Sequence, residues 1–201
     1  MNGGQNRPRG AAVDRTEQAR ARGRPQSLRV ARAHDEAVHV VEVAGSRAGE
    51  LRLIETRLIE ENCRLLTLTG LGGVGKTRLA LRVAEEMSGF FPDGICFVDL
   101  SATSEAALVV NTIAHLIGVA ESLDTPLATL IQAALCDKQF LLILDNFESI
   151  LHPDLPGQMR SGYEGYAQLL RQMAEHRHQS CLLLTSRERP QGLARWAEDS
   201  P

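Results

Sequence analysis

Gly70-Leu71-Gly72-Gly73-Val74-Gly75-Lys76-Thr77 constrains this chain more than any other stretch, because it fits the pattern G-x-x-x-x-G-K-[ST]. The pattern works only between a strand and a helix, and the flanks supply both. Arg64 to Thr69 (RLLTLT) is a short apolar run with strand character, and residues 76–88 carry a helical period with Leu79, Ala80, Val83, Ala84 and Met87 on one face. Glycines let the backbone curl until successive N–H groups point inward as an anion nest. The start of the helix adds its partial positive charge. A phosphate chain is the ligand such a loop suits. Lys76 is placed to reach β- and γ-phosphates, and the Thr77 hydroxyl to bind Mg²⁺.

Two further segments end where such a loop needs partners. Phe140 to Leu144 is an apolar strand that closes in Asp145, a Walker B pattern. A buried strand delivers that carboxylate to the sheet edge where ligands bind in open α/β folds. Asp145 is expected to hold Mg²⁺ through water, since this ion keeps several of its waters. Leu182-Leu183-Leu184-Thr185-Ser186-Arg187 is a third strand, and Arg187 at its end is placed to meet a γ-phosphate.

The rest of the chain alternates in the same way. Helices are expected at residues 48–61, 104–118, about 126–136 and 163–177, and strands at Ile95–Leu100, Gln139–Leu144 and Cys181–Thr185. The strands are continuous apolar runs, which argues for a mostly parallel sheet covered on both faces, an α/β three-layer sandwich. The loop at 149–162 reads as a surface insertion. At 201 residues there is room for one such domain with a tail.

Residues 1–42 form that tail in this reading, Arg-rich and disordered, and the nucleotide-binding domain runs from 43 to 201. Eight Arg against Asp14 and Glu17 give residues 1–32 a charge of +6, while fourteen basic and twenty-three acidic residues give the remainder −9. A nucleic-acid contact through the Arg residues is the alternative, but the aromatics that single-strand binding usually adds are missing. No apolar run is long enough to cross a bilayer, so no membrane partner is expected. The four Cys form no C-x-x-C pair, which fits a reducing cytoplasm. The only two Lys follow Gly75 and Asp137, so the N-K-x-D of GTPases is absent; so is an L-S-G-G-Q stretch. ATP and ADP are therefore the default nucleotides.

Together the three motifs resemble the NB-ARC group of STAND signalling ATPases, over about residues 43–190. The segments that carry the resemblance are Leu68 to Ala80, Leu141 to Glu148 and Leu182 to Glu188, which look like bacterial "LTGxGGVGKTRLA", "LLxLDNFE" and "LLLTSRE". The resemblance implies an adenine nucleotide with Mg²⁺, held by Gly70 to Thr77 with Arg78 beside them. It also implies an adenine-packing segment at Val43 to Leu51, in which Arg47 matches and Ser46 stands where Gly is usual. The implied strand order is 2-3-1-4-5, with the Walker A strand lying between the sensor strand and a fifth strand that follows Arg187. Residues 191–200 carry little strand pattern, so the sheet is expected to be incomplete at its C-terminal end, leaving the Walker A strand as an edge. The family's downstream helical and winged-helix domains are expected to be missing from this chain, and self-association or contact with those missing domains is the partnership expected besides the nucleotide.

Many related ATPases place an acidic residue directly after the Walker B Asp. Here that residue is Asn146, which cannot act as a base, and Glu148 is the candidate carboxylate. Lys76, Glu148 and Arg187 are thus the candidate catalytic groups, and Thr77 and Asp145 the metal-binding ones. The expected function is an ADP/ATP-binding signalling switch with slow or no hydrolysis. The alternatives are a competent small ATPase that uses Glu148, and a non-enzymatic remnant with a basic tail.

Overall fold

A computed structural model describes residues 38–191, apart from 44–46, 62, 103–105, 164–165, 168–169 and 172–177. Five strands make one sheet: β1 (Val38–Glu42), β2 (Leu65–Thr69), β3 (Gly94–Asp99), β4 (Phe140–Asp145) and β5 (Cys181–Ser186). Their order is β1-β2-β5-β4-β3, and every pairing is parallel. The helices are α1 (Arg47–Glu55), which closes in a wider π turn at Thr56–Glu60, α2 (Lys76–Met87), α3 (Ala106–Leu116) and α4 (Leu127–Asp137).

Burial follows position in the sheet. All six residues of β4 and all six of β5 are buried, as central strands covered on both faces require. In β3, by contrast, Cys96 and Val98 are buried while Phe97 and Asp99 are exposed, the alternation of an outer strand. On one face Leu65, Leu142, Leu144, Leu182 and Leu184 pack with Ile113 of α3, Ile117 just past its end, and Ile131 and Leu135 of α4. On the other, Leu66, Leu68, Leu141, Ile143 and Leu183 pack with Ile54 of α1 and Leu79, Ala80 and Val83 of α2. These are the three layers the apolar runs foretold.

The N-terminal boundary is different from the expected one. Residues 38–42 are not tail but β1, which pairs with the Walker A strand β2 from Val38↔Leu65 to Glu42↔Thr69. The strand is short, and only Val38 and Val41 of its five residues are buried, so its own pattern is faint. It therefore fills the side of β2 where a strand after Arg187 was expected, and β2 is no edge. The order 2-3-1-4-5 is also corrected. Counted from the Walker A strand, the sensor strand β5, and not β2, lies beside Walker B strand β4. No strand follows β5 among the described residues. The tail reading for residues 1–37 and most of the helical period at 163–177 lie outside the described residues, although Tyr166 and Leu170 are buried in the first of the two cores.

Residues 149–162 are tied down rather than simply inserted. Leu151 and Met159 bridge antiparallel, and the His152 N–H donates to Gln158 O at 2.7 Å. Gly157 is then bonded to the segment leaving β5: its N–H donates to Glu188 Oε2 (3.1 Å), and its carbonyl accepts the Gln191 N–H (2.7 Å).

Candidate functional site

All the motif residues meet at the C-terminal edge of the sheet. Gly70 to Gly75 link β2 to α2, and the loop passes so close to Val43 at Gly70 that a Cβ there would stand 2.8 Å from Val43 O, which only glycine avoids. Gly73, at φ +79°, has nothing within 4 Å of where a Cβ would be. A left-handed residue whose open side faces no protein atom is what a nest needs in order to admit an anion. Lys76 is buried and its Nζ donates to Gly70 O (2.7 Å) and Leu71 O (3.1 Å), so the ammonium lies under the loop. Leu71 projects into solvent, and Arg78 is exposed on the first turn of α2.

Thr77 and Asp145 come together across 68 residues of chain. Thr77 Oγ1 lies 3.0 Å and 2.9 Å from the two carboxylate oxygens of Asp145, which is almost fully buried. A hydroxyl and a buried carboxylate are the hard oxygen donors that Mg²⁺ takes. The residues present therefore fit that ion: Thr77 and Asp145 would hold it beside the loop.

Around Asp145 the structure adds groups that the motifs did not single out. Thr185 Oγ1, on β5, donates to Asp145 Oδ1 and accepts the Asn146 N–H at 3.0 Å. Asn146 has φ +57°, the left-handed region that Asn tolerates better than most residues. Its Nδ2 donates to Asp99 Oδ1 at 3.0 Å and to Asp145 Oδ2 at 3.3 Å. Asp99 also accepts the Ser101 N–H (2.9 Å) and the Ser101 hydroxyl (2.7 Å). Bonds from the Asn146 amide, and then from Ser101, hold the Asp99 carboxyl below the usual carboxylate range. Sequence reasoning had a signal for Thr185, a polar residue closing an otherwise apolar strand. For Asp99 it had none, because the register Asp99↔Asp145 appears only when β3 pairs with β4.

Glu148 and Arg187 also meet, but each occupies the other. Glu148 Oε1 lies 3.0 Å from Arg187 Nε, and Oε2 accepts the Arg187 N–H at 3.2 Å. The Arg187 guanidinium also stands 3.6 Å from where a Cβ on Gly72 would be, so the end of β5 reaches the phosphate loop. Arg47, at the start of α1, donates to Val74 O and to Glu50 Oε2 (2.8 Å), which places the expected adenine-side segment against the same loop.

A parallel sheet with a G-x-x-x-x-G-K-T loop, a buried Walker B Asp bonded to its Thr, and a sensor strand between the two defines a P-loop nucleotide-binding domain. Residues 47–150 match the family model of the NB-ARC domain, and the chain belongs to that family. A WD repeat-containing protein of Nostoc is 38% identical over 173 residues, 80% of this chain but 14% of its own length. The regulatory protein AfsR of Streptomyces coelicolor is 36% identical over 100 residues, 45% of this chain and 10% of its own length. The chain thus spans a small part of the relatives it matches. Among solved structures, the Aeropyrum pernix ORC1 protein in complex with DNA superposes with a TM-score of 0.51 at 19% identity, over 77% of this chain and 42% of that one. At that identity the likeness speaks for the fold alone.

Proposed function

We propose that this chain is the ADP/ATP-binding module of a STAND-type signalling ATPase, a switch with slow or no hydrolysis. The observation that carries the reading is the bond set on Asp145. Thr77 from the loop helix and Thr185 from the sensor strand both close on that one carboxylate. Binding at the loop is thereby coupled to the strand that leads into Arg187.

In this reading the loop N–H groups and Lys76 hold the phosphates, Arg47 orders the adenine side, and Thr77 with Asp145 holds Mg²⁺. That ion, when bound, supplies neutralisation of charge on the phosphate oxygens. Arg187 discriminates ATP from ADP. Its pair with Glu148 has an Arg side chain 68% exposed, and such pairs contribute about 0–1 kcal/mol. A γ-phosphate oxygen, which bonds Arg more strongly, competes for it. Releasing Arg187 loosens a segment that is bonded onward through Glu188 and Gln191 to the 150–160 turn. The nucleotide then biases one of two arrangements. The far greater length of the relatives supports the idea that further domains read this change.

Slow chemistry is supported by Asn146, which stands directly after Asp145 and offers no base. Glu148, which pairs with Arg187 while no γ-phosphate competes, is read as the partner that Arg187 leaves and not as the base. The test is nucleotide binding with Lys76→Ala as control, followed by turnover in Glu148→Gln. The reading expects Mg-ADP binding that Lys76→Ala abolishes and a low turnover that Glu148→Gln leaves unchanged. Fast turnover that Glu148→Gln removes would replace it with a competent ATPase, and absence of binding in the wild type would overturn it.

A further inference from the structure

We propose that Asp99 is a positioning residue of the nucleotide site, acting through Asn146 on the metal-binding carboxylate of Asp145. The proposal rests on the Mg-nucleotide reading above.

The two carboxylates are the last residues of adjacent parallel strands and face each other in register. Side by side at a ligand-binding edge, two anions repel, and something must separate them. The Asn146 amide does: its two Nδ2 protons serve Asp99 Oδ1 and Asp145 Oδ2. With both protons committed to carboxylates, the amide has one allowed orientation. The Asn146 backbone is fixed separately, by its N–H on Thr185 Oγ1. What remains for Asp99 is the side chain. Asp99 is itself anchored twice by Ser101. It is exposed, so packing gives no reason for it.

Each Asp145 oxygen therefore has a fixed set of donors. The Thr185 hydroxyl donates to Oδ1 and the Asn146 amide to Oδ2, while the single Thr77 hydroxyl proton lies between the two oxygens. Removing Asp99 frees the amide to turn, and Oδ2 loses the donor that sets its angle. Loss of a group that orients a metal ligand typically costs 10–100-fold in metal affinity.

The test measures binding of a fluorescent ADP analogue to the full chain while Mg²⁺ is titrated. Asp99→Ala is expected to raise the Mg²⁺ concentration for half-maximal effect about 10-fold, with the loss confined to the Mg²⁺-dependent part of binding. Asn146→Ala is expected to match it, and the double variant to be no worse than either, because the two act in series. Asp99→Asn keeps an acceptor oxygen for the Asn146 amide and is expected to recover most of the loss. An unchanged Mg²⁺ midpoint in Asp99→Ala overturns the proposal. So does an equal loss with and without Mg²⁺, which would mark a structural role, and so does an Asp99→Asn as poor as Asp99→Ala, which would mark charge instead of orientation. A wild-type chain that binds no ADP at either Mg²⁺ extreme overturns the functional reading and this assignment with it.

Discussion

Gly73→Ala tests whether the open space over the loop is the phosphate cradle. A methyl at this position meets no atom within 4 Å, so the cost in the ligand-free chain is that of the backbone alone. An L-residue held left-handed, here at φ +79°, costs roughly 1–2 kcal/mol. For a domain of this size, each kcal/mol moves the unfolding midpoint by about 2–4 °C, so a fall of roughly 2–8 °C is expected. Gly118, in the loop after α3, is the matched control: φ is +73° and nothing lies within 4 Å of its added Cβ, but it is far in sequence from the motifs. Gly118→Ala should fall by the same amount. The variants part when ligand is added. Mg-ADP at 100 times its dissociation constant stabilises by about 2.7 kcal/mol, a rise of roughly 5–10 °C. The wild type and Gly118→Ala should show that rise, and Gly73→Ala should lose it, because its methyl occupies the space the phosphates need. Differential scanning fluorimetry reads all six midpoints. A full rise in Gly73→Ala would refute the cradle, and an undiminished ligand-free midpoint in both variants would refute the strain argument.

Two further outcomes follow from contacts already described. Thr185→Val keeps the shape of β5 but removes a hydroxyl bonded both to the buried Asp145 and to the Asn146 N–H. Leaving such partners unmet costs about 1–3 kcal/mol, which urea unfolding should register; a change below about 0.5 kcal/mol, the scatter of neutral surface substitutions, would show that the network carries little. Burial, with Cys181 nearby, pushes the Cys63 thiol above its ordinary value of 9.0. Above about pH 9 the unfolded chain releases a proton that the folded chain keeps, so this contribution is complete below that pH and is lost as pH rises. Cys63→Ala should flatten the alkaline fall of the unfolding midpoint, and an unaltered fall would rule the thiol out.

Local and non-local information divided sharply in this chain. Gly70 to Thr77 was legible because a phosphate loop is a contiguous device whose backbone does the binding. Strands β2, β4 and β5 were legible because full burial on both faces writes an unbroken apolar run. The outer strand β1 was not, since a half-buried VHVVE beside an Arg-rich stretch has no strong pattern, and its partner β2 starts 23 residues further on. The strand order was taken from the resemblance, which rightly set the Walker A strand beside the sensor strand but misplaced the Walker B strand, since nothing in Cys181 to Ser186 says that β4 lies on its other side. Lys76, Thr77, Asp145 and Arg187 were singled out by motif, and the fold brings them to one edge of the sheet, whereas the contacts of Asp99 and Asn146 exist only through the β3–β4 register. The pairing of Glu148 with Arg187 joins loop ends that no spacing rule connects.

The place of β5 has a consequence for how the molecule comes into being. Among the described residues it is the last strand in sequence, yet it lies between β2 and β4. Without residues 181–186, the β1–β2 pair and the β3–β4 pair have no backbone ladder between them. Each then exposes an unpaired inner edge of the kind that invites mispairing. The phosphate loop sits on one ribbon and Asp145 on the other. The loop and Asp145 are therefore joined through the sheet only by β5, and pairing across such long sequence separation is the kind of contact that topology makes slow to form.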